Sequence, residues 1–169
     1  VGTARAVRIF KTYGNDAVQV MSENPYRLAK DIRGIGFRTA DLIAEKLGIE
    51  KTAMIRVRAG ISFGLSEAMG DGHCGLPRAD LIGVAGKLLE VPQPLIENAL
   101  LEELAEETVT ADSVGEMDCI FLTGLYLAER GIADQIKRIR TGALPWPEID
   151  ADKALPWIER KTSIKLAAS

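Results

Sequence analysis

Residues 24–48, NPYRLAKDIRGIGFRTADLIAEKLG, decide the fold, because they read as two short helices joined by a tight turn on Gly34-Ile35-Gly36. Asn24 followed by Pro25 starts a helix: the Asn side chain can accept from an orphan amide, and proline fits the first helical position without losing a hydrogen bond. The first helix is expected at about 25–30. Glycine at 34 and 36 admits backbone conformations closed to residues with a Cβ. The second helix then begins at Phe37, with Ala40, Leu42, Ile43 and Leu47 expected on its apolar side and Gly48 as its stop. Amide N–H groups at a glycine-led helix start point outward, where the helix dipole favours an anion such as phosphate. Arg33 and Arg38 flank that position.

The second half of this unit has an earlier copy. Residues 2–14, GTARAVRIFKTYG, align with residues 36–48, GFRTADLIAEKLG, and keep Gly, Ala, Ile and the closing Gly in register. Amphipathic helices in general, or a tetratricopeptide array of similar period, would give comparable spacing. Nothing after Gly48 repeats a third time, however, and the turn glycines fall where a helix–hairpin–helix needs them. Val1-Gly2 is expected to be the tail of an earlier Gly-x-Gly hairpin. The candidate phosphate-facing residues are Gly2, Thr3 and Arg5 in the first copy and Arg33, Gly34, Ile35, Gly36, Phe37 and Arg38 in the second.

At 169 residues, 47% hydrophobic and 27% charged, the chain can bury one substantial core or two small ones. No apolar run approaches membrane-spanning length and the N-terminus lacks a signal-peptide pattern, so the cytoplasm is expected. Cys74 and Cys119 stand far apart without a CxxC spacing and are expected to be buried free thiols. The net charge of −3 hides an asymmetry: residues 1–58 hold 11 Lys/Arg against 6 Asp/Glu, and residues 59–169 hold 10 against 18. Counterion release from phosphates supplies most sequence-independent affinity for nucleic acid, so a basic first third agrees with anion-ready turns. A solvated helix face accounts equally for any single Arg.

From about Thr52 the pattern changes. A largely apolar helix is expected up to Met69, then the Gly70-Asp71-Gly72 turn and a short extended Cys74-Gly75-Leu76-Pro77. Amphipathic helices follow at 78–89 and 92–107, and β-branched or aromatic runs at 108–111 and 119–123 bracket a turn containing glycine. Helix, short strand, helix, helix and two-stranded wing is the order of a winged helix. Glu97, Glu102, Glu103, Glu106 and Glu107 make the third helix acidic, which opposes a groove-reading role. This module is expected to be a spacer or protein-contact domain, or simply to complete a core, and reversing charge at Glu102, Glu103 and Glu106 is expected to leave the fold intact. His73, the only histidine, is expected in a turn. No catalytic constellation, metal-ligand set or Walker phosphate loop can be assembled. The remainder reads as a helix at 125–139 interrupted or bent near Gly131, a stiff linker on Leu144-Pro145-Trp146-Pro147, a short helix at 150–161 and a tail.

The expected class is therefore mainly α, with a tandem helix–hairpin–helix domain at 1–51 whose first copy is truncated. A winged-helix-like domain with a small β-hairpin follows at 52–124, then a connecting helix and linker at 125–169. Residues 24–49, the GHCGLP of 72–77, the KLLEV of 87–91 and the YLAERGIADQIKRI of 126–139 resemble the N-terminal region of RecD-like DNA helicases, also known as exodeoxyribonuclease V alpha subunits. The resemblance covers nearly the whole chain and places the hairpin motif on Gly34, Ile35, Gly36 and Ala40, and on Gly2 and Ala6. It implies two following motor domains of the 5′-to-3′ superfamily 1 type, to which ATP and magnesium would belong. No cofactor and no metal are expected in this stretch, which is expected to end near that border. DNA repair and recombination, non-sequence-specific contact with the DNA backbone and docking to its own motor domains are implied in the same way. The alternative is a protein-interaction or structural module that positions the motor.

Overall fold

The computed structural model describes residues 2–142 and 147–165. Val1, most of the expected linker (Leu144, Pro145 and Trp146) and the end of the tail lie outside the described residues. The elements in chain order are α1 (Thr3–Tyr13), a 3-10 turn (Gly14–Asp16), α2 (Ala17–Glu23), α3 (Arg27–Asp31), α4 (Phe37–Lys46), α5 (Met54–Gly70), β1 (Gly75–Pro77), α6 (Arg78–Leu89), α7 (Gln93–Ala105), β2 (Val109–Val114), β3 (Met117–Leu122), α8 (Thr123–Thr141) and α9 (Ala151–Thr162). The chain is mainly helical, with one three-stranded antiparallel sheet in the order β1-β3-β2. It divides into two compact units, Val1–Arg130 and Gly131–Ser169.

In the first unit the hairpin helices surround a small core. Ile9 of α1, Ala17 of α2, Leu28 of α3 and Ile43 of α4 meet Ile32 and Ile35 from the turn. A larger core lies on the other side of α4, where Phe37, Ala40 and Ala44 pack with residues of α5, α6 and α7 and with Ile120 of β3. One helix therefore serves two cores. Leu42 and Leu47, expected on the apolar side, are exposed instead. At about 100° per residue, Leu42 lies nearly opposite Ala40 and Ala44, and those alanines let α4 approach α5 closely.

The hairpin of β2 and β3 runs from Val109↔Leu122 to Val114↔Met117, and Gly115 closes it at φ +63. The strands are longer than the sequence suggests, because Asp112 and Ser113 continue β2 along the sheet edge where polar side chains face solvent. β1 pairs with β3 through Gly75↔Phe121, and a Cβ at Gly75 would collide with the Phe121 ring and the Ile120 carbonyl. Helix α8 runs unbroken through Gly131, where the sequence suggests an interruption. In the second unit, Asp150 caps α9 by accepting from the Lys153 amide, and the Lys161 ammonium sits 4.7 Å from the centre of the Trp157 ring.

A polar joint fastens the hairpins to the helices that follow. Arg56 of α5 is only 8% exposed. Its Nε and Nη2 donate to the two carboxylate oxygens of Asp41 on α4 at 2.8 and 3.1 Å, while Nη1 donates to the carbonyls of Lys51 and Leu89 at 2.9 and 3.0 Å. The Tyr26 hydroxyl donates to Asp41 Oδ1 at 2.6 Å. Burial opposes the Asp41 charge, but the hydrogen bonds from Arg56 and Tyr26 and the Arg56 charge outweigh it and hold the carboxyl below its ordinary 3.8. Burial also pushes the Tyr26 phenol up, and Asp41 adds to that shift.

A carboxyl whose pKa is lowered by folding stabilises the fold above its unfolded pKa and loses that contribution as pH falls through the folded value. Asp41→Asn should cost about 2–3 kcal/mol at neutral pH, between the values for an exposed pair and for a fully buried one. Thermal melts of the two proteins should differ by a constant amount down to about pH 5 and converge below about pH 4. A gap that persists at pH 2 would show that the charge of Asp41 is not what stabilises the joint.

Candidate nucleic-acid interface

The turn between α3 and α4 is closed by the Ile35 amide donating to the Ile32 carbonyl at 3.1 Å. Gly34 takes φ +88, a left-handed conformation that favours glycine. The space beside it is filled: Arg8 of α1 donates from Nη1 to the Arg33 carbonyl at 3.3 Å, and a Cβ on Gly34 would stand 2.8 Å from that nitrogen. Arg8 thus straps the first copy onto the turn of the second. Sequence alignment hides it, because its counterpart in the second copy is Leu42.

Gly36 differs from Gly34. Its backbone is extended at φ −97 and ψ 174, and a Cβ there would meet nothing within 4 Å. Its carbonyl accepts from the amides of Thr39 and Ala40 at 3.0 and 3.1 Å, and α4 has no side-chain cap. Gly2 repeats the arrangement at α1, with φ −65 and ψ 153, open space at its Cβ position, and a carbonyl accepting from Arg5 and Ala6 at 2.9 and 3.2 Å. Gly14 and Gly48 end the two copies with φ +57 and +79. The internal repeat therefore extends to backbone geometry. It does not extend to burial, since Ala40 and Ala44 are covered while Ala6 and Phe10 are exposed.

Among the residues singled out from the sequence, Gly2, Thr3, Arg5, Arg33, Gly34, Gly36 and Arg38 are exposed around the two helix starts. Ile35 and Phe37 are 2% and 4% exposed, and their side chains plug the smaller and the larger core respectively. The Ile35 amide is spent inside the turn, so it offers nothing to an outside anion. Phe37 and Arg38, the first two residues of α4, have no carbonyl one turn earlier to accept their amides.

The acidic face of α7 is exposed at Glu97, Glu102, Glu106 and Glu107, but Glu103 turns inward. Glu103 is 5% exposed: Arg58 Nε donates to its Oε1 at 2.5 Å, and the Thr108 and Ser62 hydroxyls donate to its Oε2 at 2.6 and 3.3 Å. The same guanidinium forks onto Glu106 and lies 3.5 Å from Glu102. The hydrogen bond from Arg58 holds the Glu106 carboxyl below its ordinary range. Arg58, counted among the basic residues of the first third, is thereby neutralised. Cys119 is buried as expected, whereas Cys74 is exposed, and its thiol is shifted upward by a hydrogen bond with Glu129. His73 is exposed and directly follows the Asp71-Gly72 turn in which it is expected from the sequence. Among the described residues, no three His, Cys, Asp or Glu side chains converge as a metal site would require, and no helix is long and apolar enough to cross a membrane.

Two stability tests follow from these positions. Gly34→Val meets both a left-handed backbone and the Arg8 guanidinium, and should cost about 1–3 kcal/mol. Gly36→Val meets neither, and should cost about 0.5–1 kcal/mol through loss of a favoured N-cap residue. Equal melting temperatures for the two variants would show that the turn tolerates a side chain at Gly34. Glu103→Lys leaves Arg58 facing a second buried cation and should destabilise by about 3–5 kcal/mol, while Glu102→Lys, at the half-exposed end of the group, should change stability by about 0.5 kcal/mol or less. Urea denaturation that gave the two the same midpoint would remove Glu103 from the core. From the sequence, reversal is expected to be tolerated at Glu102, Glu103 and Glu106 alike; the buried carboxylate of Glu103 argues against it at that position, although its apolar neighbours on α7 are untouched.

Both hairpin copies, α5 and the approach to β1 fall within residues 1–75, and this stretch matches the family described as the ATP-dependent RecD2 DNA helicase HHH domain. The repeat geometry and the match agree, and the match over residues 1–75 supports a helix–hairpin–helix region similar to that of RecD2-like helicases.

Proposed function

We propose that the chain is the non-catalytic DNA-binding accessory region of an ATP-dependent 5′-to-3′ DNA helicase, and that it holds DNA by its phosphates without reading the bases. The carrying observation is Gly36. Neither its conformation nor its packing calls for glycine, and Ser, Thr, Asn or Asp would cap the helix at least as well. Each of those would also occupy the α4 amides and the space in front of them. Glycine leaves both open to an outside anion, and Gly2 does the same at α1. A phosphate at the second site would meet the amides of Phe37 and Arg38, with the charges of Arg33 and Arg38 nearby. Thr3 and Arg5 flank the first site. Contacts of this kind position DNA and carry no base information.

In this reading ATP and magnesium belong to motor domains of the parent protein, which would work in cytoplasmic DNA repair or recombination, and the present chain steadies the DNA for them. The order α5, β1, α6, α7, β2, β3, with β1 paired to β3, supports a winged-helix reading of residues 52–124 between the hairpins of 1–51 and the connecting helix and linker of 125–169. The helix that would enter a groove is α7, and its carboxylates argue for a supporting role. A second reading, a module that docks a motor or another protein, is favoured by Ile132, Ile136 and Ile139, which α8 leaves exposed.

Fluorescence anisotropy with labelled DNA over a salt series tests the first reading. Arg33→Ala and Arg38→Ala should each weaken binding uniformly across DNA sequences and lower the slope of log affinity against log salt by up to about one unit. Gly36→Val should weaken binding while circular dichroism shows a folded chain. A folded Gly36→Val that binds as tightly as the parent, with the same salt slope, would leave the hairpin a purely structural turn and favour the docking module.

A further inference from the structure

We propose that the cleft between the second hairpin and the helices that follow it is a binding site for a single DNA strand, with the strand's backbone along α3 and its bases turned onto Phe63. The cleft holds about 970 Å³, and Gly36 and Phe37 form part of its wall. The proposal rests on the phosphate-docking reading, since Gly36 belongs to both surfaces.

Three features of the cleft differ from wall to wall, and together they fit one strand. The floor is apolar and aromatic: Phe63 is half-buried, its ring is stacked on Phe37 at 5.2 Å between centres, and Ile55 and Ala59 lie beside it. Such a floor accepts any base, because every base has a π-face. The α3 lip is cationic. Lys30 is exposed without an ion-pair partner among the described residues, and Arg27 reaches Asp31 only at 3.8 Å. This lip lies beside the α4 start, so a backbone docked at Gly36 continues along it.

The opposite lip is anionic. Glu106 is already held by Arg58, and Glu107 is exposed with no ion-pair partner among the described residues. One guanidinium faces Glu102, Glu103 and Glu106 together, so this wall stays negative even with every contact made. A duplex laid along the cationic lip would bring its second backbone toward these carboxylates, and like charges there exclude it. A single strand has only one backbone and can turn its bases inward. Asn24, also on the wall, accepts the Tyr26 amide at its Oδ1, and its NH₂ group has no partner among the described residues. It is a donor for the edge of a base.

The test uses the whole chain and two fluorescein-labelled probes, an oligothymidine strand of about 15 nucleotides and a blunt mixed-sequence duplex of the same length. The parent should bind the single strand more tightly. Phe63→Leu keeps the floor apolar and should lower single-strand affinity at least about fivefold while duplex affinity stays the same. Glu107→Lys, at an exposed position that does not threaten the fold, should raise duplex affinity more than single-strand affinity and narrow the gap. Circular dichroism accompanies each variant. Equal parental affinity for the two probes, or a folded Phe63→Leu with unchanged single-strand affinity, or a Glu107→Lys that leaves the gap as it was, overturns the cleft. If Arg38→Ala still flattens the salt dependence in that case, the hairpin reading survives alone. Binding of neither probe overturns both readings together.

Discussion

Arg56 carries its donors into a nearly dry joint, and every contact it makes joins separate parts of the chain. It reaches Asp41 on the second hairpin helix, the carbonyl of Lys51 in the connection to α5 and the carbonyl of Leu89 at the end of α6. Lysine could not substitute, because only a planar fork grips both carboxylate oxygens and two carbonyls in fixed directions. Removing the Asp41 carboxylate would leave the buried Arg56 guanidinium without its counter-charge. The hairpins are therefore not a bead on a flexible tether: the orientation of the α4 start relative to α5 is set by geometry that side-chain packing alone would leave looser.

The larger core makes the same connection in apolar terms. Tyr26 and Phe37 stack at 5.6 Å between ring centres, and Phe37 stacks on Phe63 in turn, so a row of three rings runs from α3 through the start of α4 into α5. Tyr26 belongs to both systems, since its ring lies in that row while its hydroxyl donates to Asp41. A residue that serves packing and polar bonding together resists replacement by phenylalanine, which would remove one of the two donors to Asp41 Oδ1 and leave it only Arg56.

Much of this was legible in the sequence, and the failures have physical causes. The hairpin glycines, the α4 start and the offset between the copies could be read because turn chemistry and helix period are local properties. The Asn24 side chain does accept an amide, that of Tyr26 at 3.0 Å, but in the turn ahead of the helix: α3 starts only at Arg27 and has no side-chain cap. What the sequence could not show is which turn glycine needs its conformation. Gly34 and Gly36 stand two residues apart and look interchangeable, yet only Gly34 has a positive φ. Nor could periodicity show that Leu42 faces water, because α4 buries small alanines rather than its largest residues. Arg8, Arg56 and Arg58 were visible only as charges. Their partners lie 25, 15 and 45 residues away, and such pairings are made by tertiary structure.

The division of charge along the chain takes on a different meaning once those pairings are known. Counted as sequence, the first third is basic and the rest acidic, which suggests one part attracting DNA and another repelling it. In the folded chain Arg56 and Arg58 are spent on carboxylates, so they add nothing to the attraction. Around the hairpins, Arg5, Arg33, Arg38 and Lys30 are exposed with no ion-pair partner among the described residues, in the part of the chain that holds the glycine-led helix starts. The carboxylates of α7 anchor Arg58 and also leave a negative wall beside that region. A polyanion approaching this unit is thus steered by both signs of charge rather than by the basic residues alone.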